Sequence, residues 1–269
     1  MSSIQDNDLV NIIDSHVHFF DAGRSEGIVW PATESPVYGS GMAMPEQRLE
    51  RAGDDPVKGL IAVETSRRAI DDRWLQALSN SEQMILGAVL NLQPDQSGFS
   101  ARFEAACSSP KFVGVRLRPI AEYDLGSREL EQNLRLLEQQ GKTIELGAPD
   151  PGLKSAFAEM ATALPATRLI LDHAGHPQAD SHTEEAWLAS MRKIAACPNV
   201  FVKVTTPGGE FESWRATLDV IARLFGSERL IYGSNWPVSR VENIVELKDY
   251  FRDDSAAFFY DNARTAYRV

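Results

Sequence analysis

The chain is poor in cysteine, with only Cys107 and Cys197 in 269 residues, and neither lies in a pair with metal-ligand spacing. A disulfide framework and a thiolate metal knuckle are therefore not expected, and both cysteines read as reduced packing residues in helical surroundings. Positive charge is also short. The 27 Lys and Arg against 38 Asp and Glu leave a formal charge of -11, with a pI near 5.0. Such a balance offers no basic surface to a phosphate backbone or an anionic membrane, so neither nucleic acid nor membrane is an expected partner. Long apolar runs are missing as well, which argues against a bilayer-spanning helix. The stretch from Met1 to Asn11 is polar and acidic rather than charged and then apolar, as a secretory signal would be. A soluble, cytoplasmic protein is expected. No repeat, low-complexity tract or linker divides the chain, and a single domain over residues 1–269 follows.

What is present is a regular beat. Hydrophobic residues make up 43% of the chain, enough for one large core. Eight short β-branched runs alternate with amphipathic segments: Ile12–His18, Gly59–Glu64, Ile85–Leu90, Phe112–Leu117, Thr143–Leu146, Arg168–Asp172, Val200–Val204 and Leu230–Gly233. Helices are predicted between them, including a strongly periodic one over Ser127–Gln140 that stops at Gly141, as a C-terminal glycine should make it do. The first connection, Asp21–Pro56, is long and rich in Gly, Pro and Ser, which marks a lid or binding loop. Strand-helix alternation gives a parallel sheet. Eight repeats of it predict an α/β fold closed as a (β/α)8 TIM barrel.

The barrel gives meaning to the polar residues at strand ends, because chemistry in this architecture sits at the C-terminal rim. His16, His18, Glu64, Arg116, Glu145, His173, Lys203 and Asn235 all fall at or near that rim, with His176 just beyond. His16 and His18 are two apart on a strand and share a face, which suits two imidazoles converging on one metal ion or one substrate. His182 is left over and reads as solvated surface.

The pieces I-D-S-H-V-H, V-G-V-R, L-D-H-A-G-H-P, V-K-V and L-I-Y-G-S-N-W-P-V, in this order and spacing, resemble the amidohydrolase superfamily. More narrowly, the chain looks like the branch of TIM-barrel lactonases that act on sugar-acid lactones, muconolactones and pyrone dicarboxylates. The likeness runs from the first strand to the final N-A-R-x-x-Y-R segment. It implies that His16 and His18 are the first-strand pair, that His173 is the sixth-strand histidine, and that Arg116 is the fourth-strand arginine of such lactonases. Asn235 stands where the family usually has the aspartate that takes a proton from the attacking water. An amide has no useful basicity, so this is the departure that matters most. Glu145 stands near the position where binuclear relatives present a histidine, which argues against a two-metal site.

The implied reaction opens an ester ring, and it needs an activated water, a polarised carbonyl and a stabilised oxyanion. Arg116, Arg118 and Lys203 are the cations available to an anionic lactone. Glu64 and Glu145 are the carboxylates able to act as base or ligand, while Trp30, Tyr38 and Trp236 could wall the pocket. His16, His18 and His173 have the chemistry to hold one zinc, three protein ligands and a water being a familiar set. Against this, Asn235 supplies no charge and Arg116 would repel the ion. The expectation is no required cofactor, or one divalent metal, zinc foremost, weakly and partially held. Two other readings stand beside the lactonase: a metal-dependent non-oxidative decarboxylase, and a non-catalytic binder that has lost its base at Asn235. The sequence is compatible with a homo-oligomer.

Overall fold

The computed structural model describes residues 9–52, 56–117, 123–124, 126–147, 151–177, 184–205, 211–239 and 244–269. Arg118 and His182 lie outside the described residues. Eight parallel strands form one sheet in chain order: β1 (Ile12–Val17), β2 (Val57–Val63), β3 (Ile85–Leu90), β4 (Phe112–Leu117), β5 (Thr143–Leu146), β6 (Leu169–Leu171), β7 (Val200–Val204) and β8 (Leu230–Tyr232). Helices between the strands, such as Ala69–Ser81, Arg128–Gln139 and Glu212–Phe225, make this a (β/α)8 barrel. The strand bounds match expectation to within two residues. A short helix, Pro45–Glu50, and a two-stranded ribbon of Phe20–Asp21 with Met42–Ala43 lie inside the long first connection, where no element was read.

Alternation along each strand sorts the core into two layers. Ile13, Ile61, Val63, Val89, Val113, Ile170, Phe201 and Ile231 point into the barrel, which Ala263, Ala266 and Tyr267 of the C-terminal helix Asn262–Tyr267 plug from below. The opposite faces pack against the helices through residues such as Phe112, Phe157, Leu169, Met191 and Leu218. In β1 the register slips between Asp14 and Val17. That irregularity lets Ile13 and His16 both point inward, although they are three residues apart.

The seam between β1 and β8 is stitched largely by side chains. The Ser15 hydroxyl donates to the Tyr232 carbonyl, and the His18 N–H donates to the Trp236 carbonyl at 2.9 Å. Asp14 does most of the joining: Oδ1 accepts from the Ser234 N–H at 2.8 Å, and Oδ2 accepts from Arg48 Nε at 2.6 Å. Gly233 permits the close approach, since a Cβ there would stand 2.8 Å from the His16 Cβ. The first connection is pinned too. Arg24 and Arg68 both donate to Asp71 Oδ1, at 2.6 and 2.9 Å, which fixes the loop carrying Trp30 to the helix Ala69–Ser81.

Asp14 and Arg48 are both fully buried, so removing one partner strands the other's charge. Asp14→Ala is expected to lower stability by about 3–5 kcal/mol in urea unfolding, the range for a broken buried pair. A loss below about 1 kcal/mol would mean that the seam is held by the backbone bridges alone.

Candidate functional site

The site is a stack of charges rising through the upper half of the barrel. Its lowest member is Glu145 on β5, whose Oε1 accepts from the Tyr267 hydroxyl and lies 2.9 Å from Lys203 Nζ on β7. Lys203 also sits 3.3 Å from Asp172 Oδ1 and 3.1 Å from His16 Nδ1. Glu145, Lys203, Asp172 and His16 are all fully buried. Strand alternation explains how they meet: Glu145 follows Thr143 inward, Lys203 follows Phe201, and Asp172 follows Ile170.

Above this layer lies the rim. His16 Nε2 and His18 Nε2 are 3.1 Å apart, and His18 Nδ1 lies 3.1 and 3.0 Å from the Val63 and Glu64 carbonyl oxygens. Arg116 spans the mouth. Its Nε donates to Asp172 Oδ2 at 3.0 Å, Nη1 lies 3.5 Å from Glu64 Oε1, and Nη2 lies 3.5 Å from His173 Nε2. Its side chain keeps 20% of its surface exposed, unlike the buried Lys203. His173 is held by Thr205 Oγ1 at 2.7 Å from its Nδ1. The backbone here turns left-handed at His173 (φ 54°), Ala174 (φ 51°) and His176 (φ 51°), a conformation that costs roughly 1–2 kcal/mol per non-glycine residue. The Trp187 indole N–H, donating to the Ala174 carbonyl at 3.2 Å, helps hold it.

Burial dominates the titration of these groups. It pushes the His16 imidazole well below its usual range, with the Lys203 ammonium adding to the effect. Burial, and then Arg116, lower His18 to about 4. Burial lowers His173 to about 3, Asp172 opposing and Arg116 assisting. Burial acts to raise Asp172 too, but Lys203 and Arg116 overcome it and hold the carboxyl well below the ordinary carboxylate range. Glu64 moves upward through burial against the pull of Arg116. Glu145 likewise moves upward through burial, against Lys203. The three imidazoles are thus neutral at pH 7, set among two cations and three carboxylates.

Several expected residues meet, and some do so indirectly. His16, His18, His173, Arg116 and Glu64 converge at the rim, whereas Lys203 and Glu145 lie one layer below. Trp30 is half-buried with its ring 5.4 Å from that of His18. Trp236 is buried, its ring 6.1 Å from Phe19. Asn235 (φ 55°) follows the end of β8, and its Nδ2 donates to Ser239 Oγ at 3.2 Å. Two members were not singled out from sequence. Asp172 carried a readable signal, standing two residues after the inward Ile170 and just before His173. Tyr267 lies in the N-A-R-x-x-Y-R segment where the likeness ends, but its contact with Glu145 follows only from the packing of the C-terminal helix.

A family model described as amidohydrolase matches residues 13–269. The chain belongs to the amidohydrolase family. It is 28% identical to an L-fucono-1,5-lactonase of Burkholderia ambifaria, over 85% of this chain and 81% of that one. Among solved structures, a zinc-bound amidohydrolase of Burkholderia multivorans matches at TM-score 0.77 and 21% identity, covering 96% of this chain and 99% of that one. A putative 2-pyrone-4,6-dicarboxylic acid hydrolase of Pseudomonas putida matches at TM-score 0.72 and 23% identity, covering 96% and 97%. These two likenesses concern the fold.

The family raises the question of a divalent metal. Among the described residues, His16, Asp172 and His173 bring ligand-type atoms within 4.8 Å of one another. Each, however, already faces a cation. Lys203 lies against His16 and Asp172, and Arg116 lies against Asp172 and His173. A divalent ion would enter between an ammonium and a guanidinium, so these residues do not fit a tightly held metal. Among the described residues, no helix is long and apolar enough to cross a membrane.

The pKa directions give a test. Both histidines have folded-state pKa values below the ordinary 6.5, at about 4 for His18 and about 3 for His173, so they take up protons only well on the acid side. Imidazole resonances of the two, followed by NMR from pH 8 to pH 5.5, are expected to stay in place. A midpoint near 6.5 for either would mean that its ring is solvated rather than buried beside Arg116.

Proposed function

We propose that the chain is a lactone hydrolase that opens the ester ring of a small, oxygen-rich lactone, such as a carboxylated or sugar-acid lactone. The observation that carries this reading is Arg116, partly exposed at the mouth and ringed by three neutral imidazoles. A partly exposed guanidinium is a donor suited to a carbonyl oxygen that becomes an oxyanion, and such stabilisation is usually the largest single catalytic effect. The likeness to the fuconolactonase supports the same chemistry.

The step can be written in full. Water attacks the ester carbonyl carbon, giving up a proton to a base, and the carbonyl oxygen becomes an oxyanion facing Arg116. Collapse breaks the ring C–O bond, and the departing alkoxide takes that proton back from the base to leave an open hydroxy acid. Lys203 and Glu145, fully buried, act from beneath by holding His16 and Asp172 rather than by lining the pocket. Binding of an anionic group falls to Arg116, with Trp30 as an apolar wall. Arg118 remains a second expected cation for the same group.

The base is the point of tension. The Asn235 amide cannot take the proton, and its Nδ2 is turned to Ser239. Asn235→Asp is expected to raise turnover on the right lactone by roughly 10²–10⁴-fold, the scale of a positioned general base. Substrate affinity, measured by calorimetry, should change much less. Unchanged turnover would count against this assignment. Loss of the parent activity in Glu64→Gln would then place the base on Glu64, whose carboxyl is already raised by burial. If both proteins bind a lactone and neither hydrolyses one, the non-catalytic reading gains.

A decarboxylase of the same superfamily would need a firmly held metal, which the cations about Asp172 disfavour. The purified protein is expected to carry zinc well below one equivalent by elemental analysis, and to keep its lactone turnover within about twofold after chelation, a change of under ~0.5 kcal/mol in barrel-bound transition-state energy. Stoichiometric zinc, with activity lost on chelation, would overturn this and favour the metal-dependent reading.

A further inference from the structure

Lys203 Nζ has three hydrogens to donate and none to accept with. Three acceptors surround it: Glu145 Oε1 at 2.9 Å, His16 Nδ1 at 3.1 Å and Asp172 Oδ1 at 3.3 Å. A proton on His16 Nδ1 would set N–H against N–H at that distance. His16 must therefore accept at Nδ1 and carry its proton on Nε2. The far end of the pair can be solved separately. His18 Nδ1 lies 3.1 and 3.0 Å from two backbone carbonyl oxygens, which only accept, so its proton is on Nδ1 and its Nε2 is a lone pair. The two Nε2 atoms are 3.1 Å apart and now consist of one donor and one acceptor. Two independent ends give one consistent chain of donors, running from Lys203 through His16 to His18.

The lower end of that chain is set by the last helix. Thr143 Oγ1 donates to the Ala266 carbonyl at 2.9 Å and ties the helix to β5. Tyr267 then donates its hydroxyl to Glu145 Oε1, the same oxygen that faces Lys203. The other carboxylate oxygen, Oε2, is buried and has no hydrogen-bond partner among the described residues, so Tyr267 and Lys203 together fix which way the carboxylate is turned.

We infer that Tyr267 is a positioning residue for the site: through Glu145 and Lys203 it locks His16 as the Nε2–H tautomer and so fixes a neutral N–H on the His18 Nε2 lone pair, which sets the spacing of the two rings beside Arg116. The value of that spacing to a lactone reaction rests on the function proposed above, but the tautomer itself does not. With the opposite tautomer, two Nε2 lone pairs would face each other at 3.1 Å and push the rings apart. A displacement of about 1 Å among groups that position a reaction can cost about 10²-fold in rate.

The test is ¹⁵N NMR of the imidazole nitrogens in the full chain at pH 7, with no lactone present. In the parent protein His16 is expected to show an unprotonated Nδ1 and a protonated Nε2, with the reverse in His18. Tyr267→Phe preserves the ring that plugs the barrel and removes only the hydroxyl. It is expected to leave His16 as a mixture of tautomers and to lower kcat at least tenfold with little change in KM. A double variant, Lys203→Met with Glu145→Gln, leaves neither of these two charges unpaired and is expected to move the His16 proton to Nδ1, where Asp172 Oδ1 lies 3.7 Å away. A protonated His16 Nδ1 in the parent, or a His16 spectrum untouched by both variants, would overturn the inference. Since the spectra need no substrate, correct tautomers in a chain that hydrolyses no lactone would sink the proposed function and leave this inference standing. Active enzyme with the wrong tautomer would do the opposite.

Discussion

The charge cluster beneath the rim depends on one ammonium group taken out of water. Burying a lysine without partners costs several kcal/mol, more than a protein of ordinary stability can spare at one position. Lys203 is buried on a strand whose next inward residue below is Phe201, so its charge can only be met from the side and from above. The partners come from β5, β6 and β1, three separate parts of the chain. A one-residue slip of any of them would turn its polar group out to the helix layer and leave the lysine alone. The ion cluster therefore acts as a check on strand register as well as a foundation for the rim, and the bulge in β1 is part of that fit, because without it Ile13 and His16 could not both face inward.

The same cluster sets the chemistry above it. Lys203 and Arg116 hold the Asp172 carboxyl well below the ordinary carboxylate range, while the histidines, pressed by burial and flanked by the same two cations, remain neutral. A neutral imidazole with a fixed proton is a directional donor rather than a charge. Many metal sites reach oxyanion stabilisation by placing a dication at the strand tips. Here the guanidinium of Arg116 occupies the corresponding region, and its bonds to Asp172 and Glu64 hold it in place. The pocket thus has its positive charge built into β4, at the cost of leaving little attraction for an added one.

Much of this was legible in the residues. Strand position put Glu145 and Lys203 among the polar groups of the rim, and period-two alternation, a property of the backbone that survives any packing, set His16 and His18 on one face. Strand ends located the rim, because parallel strands joined by helices deliver all their C-terminal tips to one side. Depth was not legible. Lys203 and Glu145 sit below the histidines because β5 and β7 are offset relative to β1, and stagger belongs to the closed sheet rather than to any one strand. The contact of Tyr267 with Glu145 was hidden for a similar reason: six residues of C-terminal helix have no periodicity that says which end of the barrel they plug. The ribbon in the first connection was missed because two-residue strands carry no pattern.

Asn235 can be read in the light of that charge balance. The position lies at the tip of β8, next to the strand that carries His16 and His18, and the left-handed backbone there is one that asparagine tolerates better than most residues. A carboxylate in its place would be the fourth in a site with two cations among the described residues. It would add to the negative charge at the strand tips, and it would repel an incoming anionic lactone. A neutral amide avoids both penalties and can still hydrogen-bond, as it does to Ser239. What it gives up is basicity. The exchange trades basicity at the tip of β8 for less negative charge beside the rim.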